Sequence, residues 1–181
     1  MIASEKTRVA TIWLSGCSGC HMSFLDQDEL LIELSEKIQL VYSPIVDTKI
    51  FPENVDVTLI EGAVGTDEQL NLLREARARS KILVSLGDCA VTGNATALRN
   101  TVGENNADLV LKRSYVDNAT IQPQIPKQVP RLLKQAHALH ELVKVDFYIP
   151  GCPPNADLIN YMLMELVSGR TPNIDSKFMY G

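Results

Sequence analysis

Five short apolar runs, separated by stretches with helical spacing, frame this 181-residue chain, and three of them lead directly into cysteine. Val9 to Leu14 ends in Ser15-Gly16-Cys17-Ser18-Gly19-Cys20. Lys81 to Leu86 leads into Gly87-Asp88-Cys89. Val145 to Ile149 ends in Pro150-Gly151-Cys152-Pro153-Pro154. The other two runs, Gln39 to Ser43 and Val55 to Ile60, carry no cysteine. Runs this short and this continuously apolar suit parallel strands covered on both faces. No other cysteine occurs in the chain, so all four sit in turns at predicted strand ends.

Strands alternating with helices imply βαβ units. The expected fold is α/β: a flavodoxin-like, doubly wound parallel sheet in the order 2-1-3-4-5. In that order the loops after strands 1, 4 and 5 open together on the carboxyl edge, where such sheets bind ligands. The third strand ends between them in Glu61-Gly62-Ala63, whose small residues leave room for an inorganic body.

The helical stretches are less uniform. Phe24, Leu25, Leu31, Leu34 and Ile38 predict a helix from Cys20 to about Lys37. Thr66 followed by Gln69 is a capping-box signature, heading a helix to about Arg79 on Leu70, Leu73 and Ala76. Val129, Leu132, Leu133, Ala136, Leu139 and Val143 predict a helix with Pro130 in its first turn. A last helix rests on Leu158, Ile159, Met162, Leu163, Leu166 and Val167, with Gly169 as its C′ residue. Residues 93–126 are the least regular, with a short helix expected near Ala95 to Asn100. A loop of that length is usually functional or ordered by a partner. The whole span 1–181 reads as one domain, without repeat or linker.

A formal net charge of −5 and scattered Lys and Arg argue against a nucleic-acid partner. No apolar stretch approaches the roughly 20 residues that span a bilayer. The N-terminus shows neither an apolar signal core nor a twin arginine, so a cytoplasmic protein is expected. Structural disulfides are rare there.

Cysteine thiolates are soft ligands for zinc or iron–sulfur clusters. Cys17 and Cys20 can serve one centre from a single loop, with Cys89 and Cys152 completing it from neighbouring loops. The count matches a [4Fe–4S] cube. Structural zinc also takes four thiolates, but usually from two short Cys-x₂₋₄-Cys loops, and here only one pair is local. A thioredoxin-like redox pair explains one loop alone. Inert core cysteines usually fall within strands or helices, so four in such turns disfavour that reading. Neither Gly-x-Gly-x-x-Gly nor a phosphate-binding Gly-x₄-Gly-Lys-[Ser/Thr] occurs, so nucleotide binding has no support in this chain. The cysteine loops occupy the edge where a flavin phosphate would sit, which disfavours FMN here.

The stretch Trp13-Leu14-Ser15-Gly16-Cys17-Ser18-Gly19-Cys20 resembles the first cluster motif of [NiFe] hydrogenase small subunits. Ile60-Glu61-Gly62-Ala63, Gly87-Asp88-Cys89-Ala90 and Pro150-Gly151-Cys152-Pro153-Pro154 resemble their later segments, in the same order along residues 8–168. Periplasm-facing members carry a twin-arginine signal and a further domain with two more clusters. This sequence has neither, and so resembles the short small subunit of the soluble, NAD-reducing (bidirectional) [NiFe] hydrogenase. The related cluster subunit of NADH:quinone oxidoreductase has adjacent cysteines where Ser18-Gly19 stands here, which disfavours quinone reduction.

The resemblance implies one proximal [4Fe–4S] cluster on Cys17, Cys20, Cys89 and Cys152. It implies a partner large subunit carrying the Ni–Fe centre, where H₂ is split or made. It also implies a flavin- and cluster-bearing diaphorase module that reduces NAD⁺. No residue of this chain is then catalytic; the chain is an electron relay within an oxidoreductase. The alternatives are the cluster subunit of a hydrogenase serving a ferredoxin or a deazaflavin, or a zinc-stabilised interaction module.

Three further residues stand near these motifs, and two histidines stand apart from them. His21 is expected to bond a backbone group at a helix start, Glu61 to cap, relay protons or meet a partner, and Asp88 to shape its loop as an Asx-turn. His137 and His140 are three apart on the predicted helix, a surface arrangement rather than a metal pair.

Overall fold

The computed structural model describes residues 6–103 and 106–173. Five strands form one parallel sheet: β1 (Thr7–Trp13), β2 (Ile38–Tyr42), β3 (Val55–Glu61), β5 (Ser80–Leu86) and β7 (Phe147–Ile149). Their order is β2-β1-β3-β5-β7. Two short strands, β4 (Val64–Thr66) and β6 (Leu132–His137), pair separately as an antiparallel ribbon. Without that ribbon, the sheet has the order 2-1-3-4-5 expected from the sequence.

Helices cover both faces. On one lie α1 (Gly19–Leu25), α2 (Leu30–Lys37) and α7 (Ala156–Val167). There Phe24, Leu34, Ile159, Met162 and Leu163 pack with Val9, Val57, Leu59, Val84, Leu86 and Ile149. On the other lie α3 (Asp67–Arg79) and α4 (Asp88–Thr92). There Leu73, Ala76 and Ala90 pack with Ala10, Ile12, Ile60 and Leu83. Alternate strand residues thus enter opposite layers, and burial of each large side chain contributes about 1.5–3 kcal/mol.

The predicted helix from Cys20 to Lys37 is two helices. Asp28 adopts φ 50°, and the Gln27 side-chain amide donates to the Phe24 carbonyl at 2.9 Å, ending α1. The capping box of α3 forms as expected: Thr66 Oγ1 accepts from the Gln69 N–H at 3.2 Å, and Gln69 Oε1 accepts from the Thr66 N–H at 3.2 Å.

The predicted helix over residues 129–143 is instead strand β6 followed by a short 3-10 turn at Leu139–Glu141. Its apolar spacing fits a helix, but tertiary partners claim its backbone. Val64 pairs with His137 and Thr66 with Leu132. The Asn100 side chain donates to the Ala136 carbonyl and accepts from the Ala136 N–H, both at 2.8 Å, and Arg99 donates to the Leu133 carbonyl at 3.0 Å. His137 and His140 therefore share no helix face. His137 pairs with Glu141 at 2.8 Å, and the His140 ring lies 6.2 Å from that of Tyr148.

The segment expected to be least regular carries α5 (Asn94–Ala97), a 3-10 turn at Leu98–Val102, α6 (Asn106–Lys112) and a π turn at Arg113–Asp117. Residues 118–131 have no regular element.

The last sheet strand begins two residues later than the apolar run, because the Asp146 side chain replaces part of the ladder. Its Oδ2 accepts from the Leu83 N–H at 2.9 Å and from Arg77 Nη1 at 2.5 Å. Burial pushes the Asp146 carboxyl up, but the Leu83 N–H and the Arg77 guanidinium outweigh it and hold the pKa below the ordinary value. Such a group stabilises the fold fully above the unfolded carboxyl value of about 3.9, and that contribution is lost as pH falls through the folded value. Asp146→Asn is expected to lower stability at pH 7 by about 1–3 kcal/mol. Urea unfolding at pH 7 and pH 3 checks this: the gap between the variant and the parent should narrow in acid.

Candidate metal centre

The turns after β1, β5 and β7 meet at the carboxyl edge of the sheet. Cys17, Gly19, Cys20, Glu61, Asp88, Cys89, Gly151, Cys152 and Pro153 line one cavity there, of about 80 Å³. All four cysteines carry free thiols, with Cys20 buried, Cys89 half-buried, and Cys17 and Cys152 exposed. Cys20 opens the first turn of α1 and Cys89 that of α4, while Cys17 and Cys152 lie in the loops themselves.

Backbone and side-chain bonds lock these loops together. The Asp88 N–H donates to the Gly151 carbonyl at 2.9 Å, and Asp88 Oδ1 accepts from the Gly151 N–H at 2.7 Å. Asp88 thus joins two cysteine loops rather than closing an Asx-turn within its own. Ser23 of α1 donates to the Pro154 carbonyl at 2.5 Å, tying the first loop to the third. The Cys152–Pro153 peptide is cis. Ser15 and Ala63 exchange backbone bonds at 3.0 and 2.9 Å, and Ser15 Oγ donates to Gln69 Oε1 at 2.9 Å. Gly62, at φ 89°, lies so close to this bridge that a Cβ would stand 2.8 Å from the Ser15 carbonyl carbon.

Glu61 ends β3 opposite Trp13 of β1 and is 1% exposed. Its Oε2 accepts from the His21 N–H at 2.8 Å and pairs with His21 Nδ1 at 2.5 Å. His21 is therefore held by a carboxylate, not by a backbone group. Its Nε2 is buried without a hydrogen-bond partner among the described residues. Phe24 packs in the core, while Trp13 is 48% exposed and donates to the Gly16 carbonyl at 3.2 Å.

Electrostatics in the cavity oppose free thiolates. Burial, then Glu61, then the other three cysteines push the Cys20 thiol up to about 12. Burial also raises the Cys89 thiol, partly countered by a hydrogen bond from Thr96. Without a cationic body, four negative sulfurs here would repel one another. Among the described residues, no three of His, Cys, Asp and Glu close around a point as a single metal ion requires. The four sulfurs border a shared space instead, and that donor set suits a multi-iron body.

Glu61, Asp88 and the four cysteines were read from sequence, and they meet here. Thr96 and the Ser15–Gln69 contact were not, because their roles depend on partners 81 and 54 residues away. A larger cavity, of about 490 Å³, opens at the opposite edge between Lys6, Arg8, Asp56 and Lys81. There Lys81 pairs with Asp56, which also accepts from the Arg8 backbone N–H, while Lys6 and the Arg8 guanidinium donate to backbone carbonyls.

Comparison with known proteins matches residues 17–166 to the family model of the NADH ubiquinone oxidoreductase 20 kDa subunit. The chain is 40% identical to the NAD-reducing hydrogenase HoxS subunit delta of Cupriavidus necator, over 94% of its own length and 83% of that protein. It is 37% identical to a subunit of the F420-non-reducing hydrogenase of Methanothermobacter marburgensis, over 96% of its own length but only 57% of that protein. Among solved structures, a chain of an H₂-reduced NAD⁺-reducing [NiFe]-hydrogenase superposes with TM-score 0.88 at 38% identity, covering 97% of both chains. A Desulfomicrobium baculatum [NiFeSe]-hydrogenase chain superposes at 0.58 with 17% identity, a likeness of fold.

Proposed function

The chain belongs to the NADH ubiquinone oxidoreductase 20 kDa subunit family, among the small subunits of NAD-reducing hydrogenases, and from that premise we propose that it is a one-cluster electron relay. The observation that carries the reading is one cavity bordered by Cys17, Cys20, Cys89 and Cys152 from three loops. These cysteines would hold a [4Fe–4S] cluster, which supplies one-electron redox capacity when bound.

The chain's own residues do the rest. Asp88, Ser23 and the Ser15–Ala63 bridge keep the sulfur-bearing loops in register before any metal arrives. Leu86 and Phe24, packed in the core beside buried Cys20, limit water on the sheet side. Glu61 holds the first turn of α1 through the His21 N–H.

Electrons would enter from a large subunit bearing the Ni–Fe centre and leave towards a flavin- and cluster-bearing diaphorase that reduces NAD⁺. The shared name of the relative and of the solved complex supports NAD⁺ over a ferredoxin or deazaflavin acceptor. In this reading the chain is one cytoplasmic domain over 1–181. The exposed Leu98, Val102, Leu109, Tyr115 and Ile121 in and near residues 93–126 make that segment a partner contact. No helix among the described residues is long and apolar enough to cross a membrane.

Metal analysis of anaerobically purified protein tests the relay. About four irons and four sulfides per chain are expected, the stoichiometry of the cube. Zinc without iron would overturn it.

A further inference from the structure

Cys17 lies exposed in a loop, before α1 begins. Among the described residues, neither Gly16 nor Cys17 makes a backbone–backbone hydrogen bond. The last fixed point ahead of Cys17 is therefore Ser15. Both backbone groups of Ser15 bond Ala63, at 3.0 and 2.9 Å, and its hydroxyl donates to Gln69 Oε1 at 2.9 Å.

The fit around Ser15 is close on two sides. A Cβ at Gly65 would stand 2.7 Å from Ser15 Oγ, and one at Gly62 would stand 2.8 Å from the Ser15 carbonyl carbon. The acceptor is fixed as well. Gln69 Oε1 also takes the Gly65 N–H at 2.8 Å and the Thr66 N–H at 3.2 Å, so three donors hold one oxygen. Gln69 lies in the first turn of α3, and Leu73 and Ala76 of that helix are fully buried. A ligand is held in place by groups that are themselves locked by packing and hydrogen bonds. Ser15 and Gln69 meet that condition for the first cysteine loop.

We propose that Ser15 and Gln69 act together as positioning residues for Cys17: the Gln69 side chain, through the Ser15 hydroxyl, ties the packed start of α3 to the first cysteine loop and slows loss of the cluster. The proposal rests on the cluster reading above.

The test uses the full chain, purified anaerobically, with Ser15→Ala, Gln69→Met, the double variant and Gln69→Glu. Ser15→Ala is the cleaner variant, because the Gly65 and Thr66 N–H groups keep Gln69 and the cap of α3 stays whole. Gln69→Glu keeps an acceptor oxygen for all three donors. Each protein is assayed for iron, for the rate of iron release to an iron(II) chelator, and for the electron paramagnetic resonance signal of the reduced cluster. Ser15→Ala and Gln69→Met should each release iron about tenfold faster than the parent and broaden the signal. The double variant should match the faster single one, since both remove the same tie, and Gln69→Glu should restore the parent rate and signal. Ser15→Ala with the parent release rate and signal overturns the proposal. Effects that multiply in the double variant also overturn it, in favour of two separate destabilisations. So does a Gln69→Glu variant as fast as Gln69→Met. Parent protein without iron overturns the cluster reading itself, and this proposal with it.

Discussion

Cys152→Ser is expected to leave the fold intact and strip the iron. Cys152 is exposed and outside both hydrophobic layers, so the substitution should move folding stability by no more than about 0.5 kcal/mol. A serine hydroxyl is a hard, rarely ionised donor, ill suited to iron–sulfur chemistry. Loss of a partner that merely orients a ligand typically costs about 10–100-fold in metal affinity, so loss of the ligand itself should cost more. In the assembled complex, H₂-driven NAD⁺ reduction should fall by at least about tenfold, while direct dye reduction at the partner subunit persists. Full iron and unchanged NAD⁺ reduction in this variant would remove Cys152 from the ligand set.

Gly87→Ala should be as damaging without touching a ligand. Gly87 stands at φ 80°, ψ 161°, a conformation that is essentially glycine's alone. The backbone strain of forcing alanine there is about 1–3 kcal/mol, a few degrees of melting temperature in a chain of this size. The larger effect is steric. A Cβ at Gly87 would lie 2.2 Å from Cys20 Sγ, so either the sulfur leaves the cavity or the loop after β5 opens. Both routes end in iron loss. Gly103→Ala is the control. Gly103 also has positive φ, 121°, but an added Cβ meets nothing within 4 Å, so strain appears there without loss of iron. If Gly87→Ala kept full iron, the thiol of Cys20 would not be a fixed part of the site.

The contrast between these glycines shows where reading the chain succeeds and where it stops. A glycine beside a cysteine is visible in Gly87-Asp88-Cys89, but Cys20 as its neighbour across 67 positions is not. Asp88 illustrates the same limit. Its acceptor role was anticipated, yet its partner is Gly151 of another loop rather than its own backbone. His21 was expected on a backbone group and is bound to Glu61, because β3 brings the carboxylate beside the start of α1. The largest departure is β6. Leu132, Leu133, Ala136 and Leu139 satisfy a helical period, but the open edge of β4, with Asn100 and Arg99, satisfies the backbone of that segment as a strand. Local spacing is a weak prior once such partners exist.

The sequence by itself determined the sheet and the edge on which chemistry could occur. Continuous apolar runs can be buried only as internal parallel strands, and right-handed crossovers then leave few orders open. It also determined the ligand candidates, since four cysteines at three strand ends leave little choice. Tertiary structure alone decided how those cysteines are held. The bonds that join the loops, Asp88 to Gly151, Ser23 to Pro154, Thr96 to Ser15 and His21 to Glu61, span 63, 131, 81 and 40 positions. Hydrogen bonds act over about 3 Å, and separation along the chain carries no record of which groups will come that close.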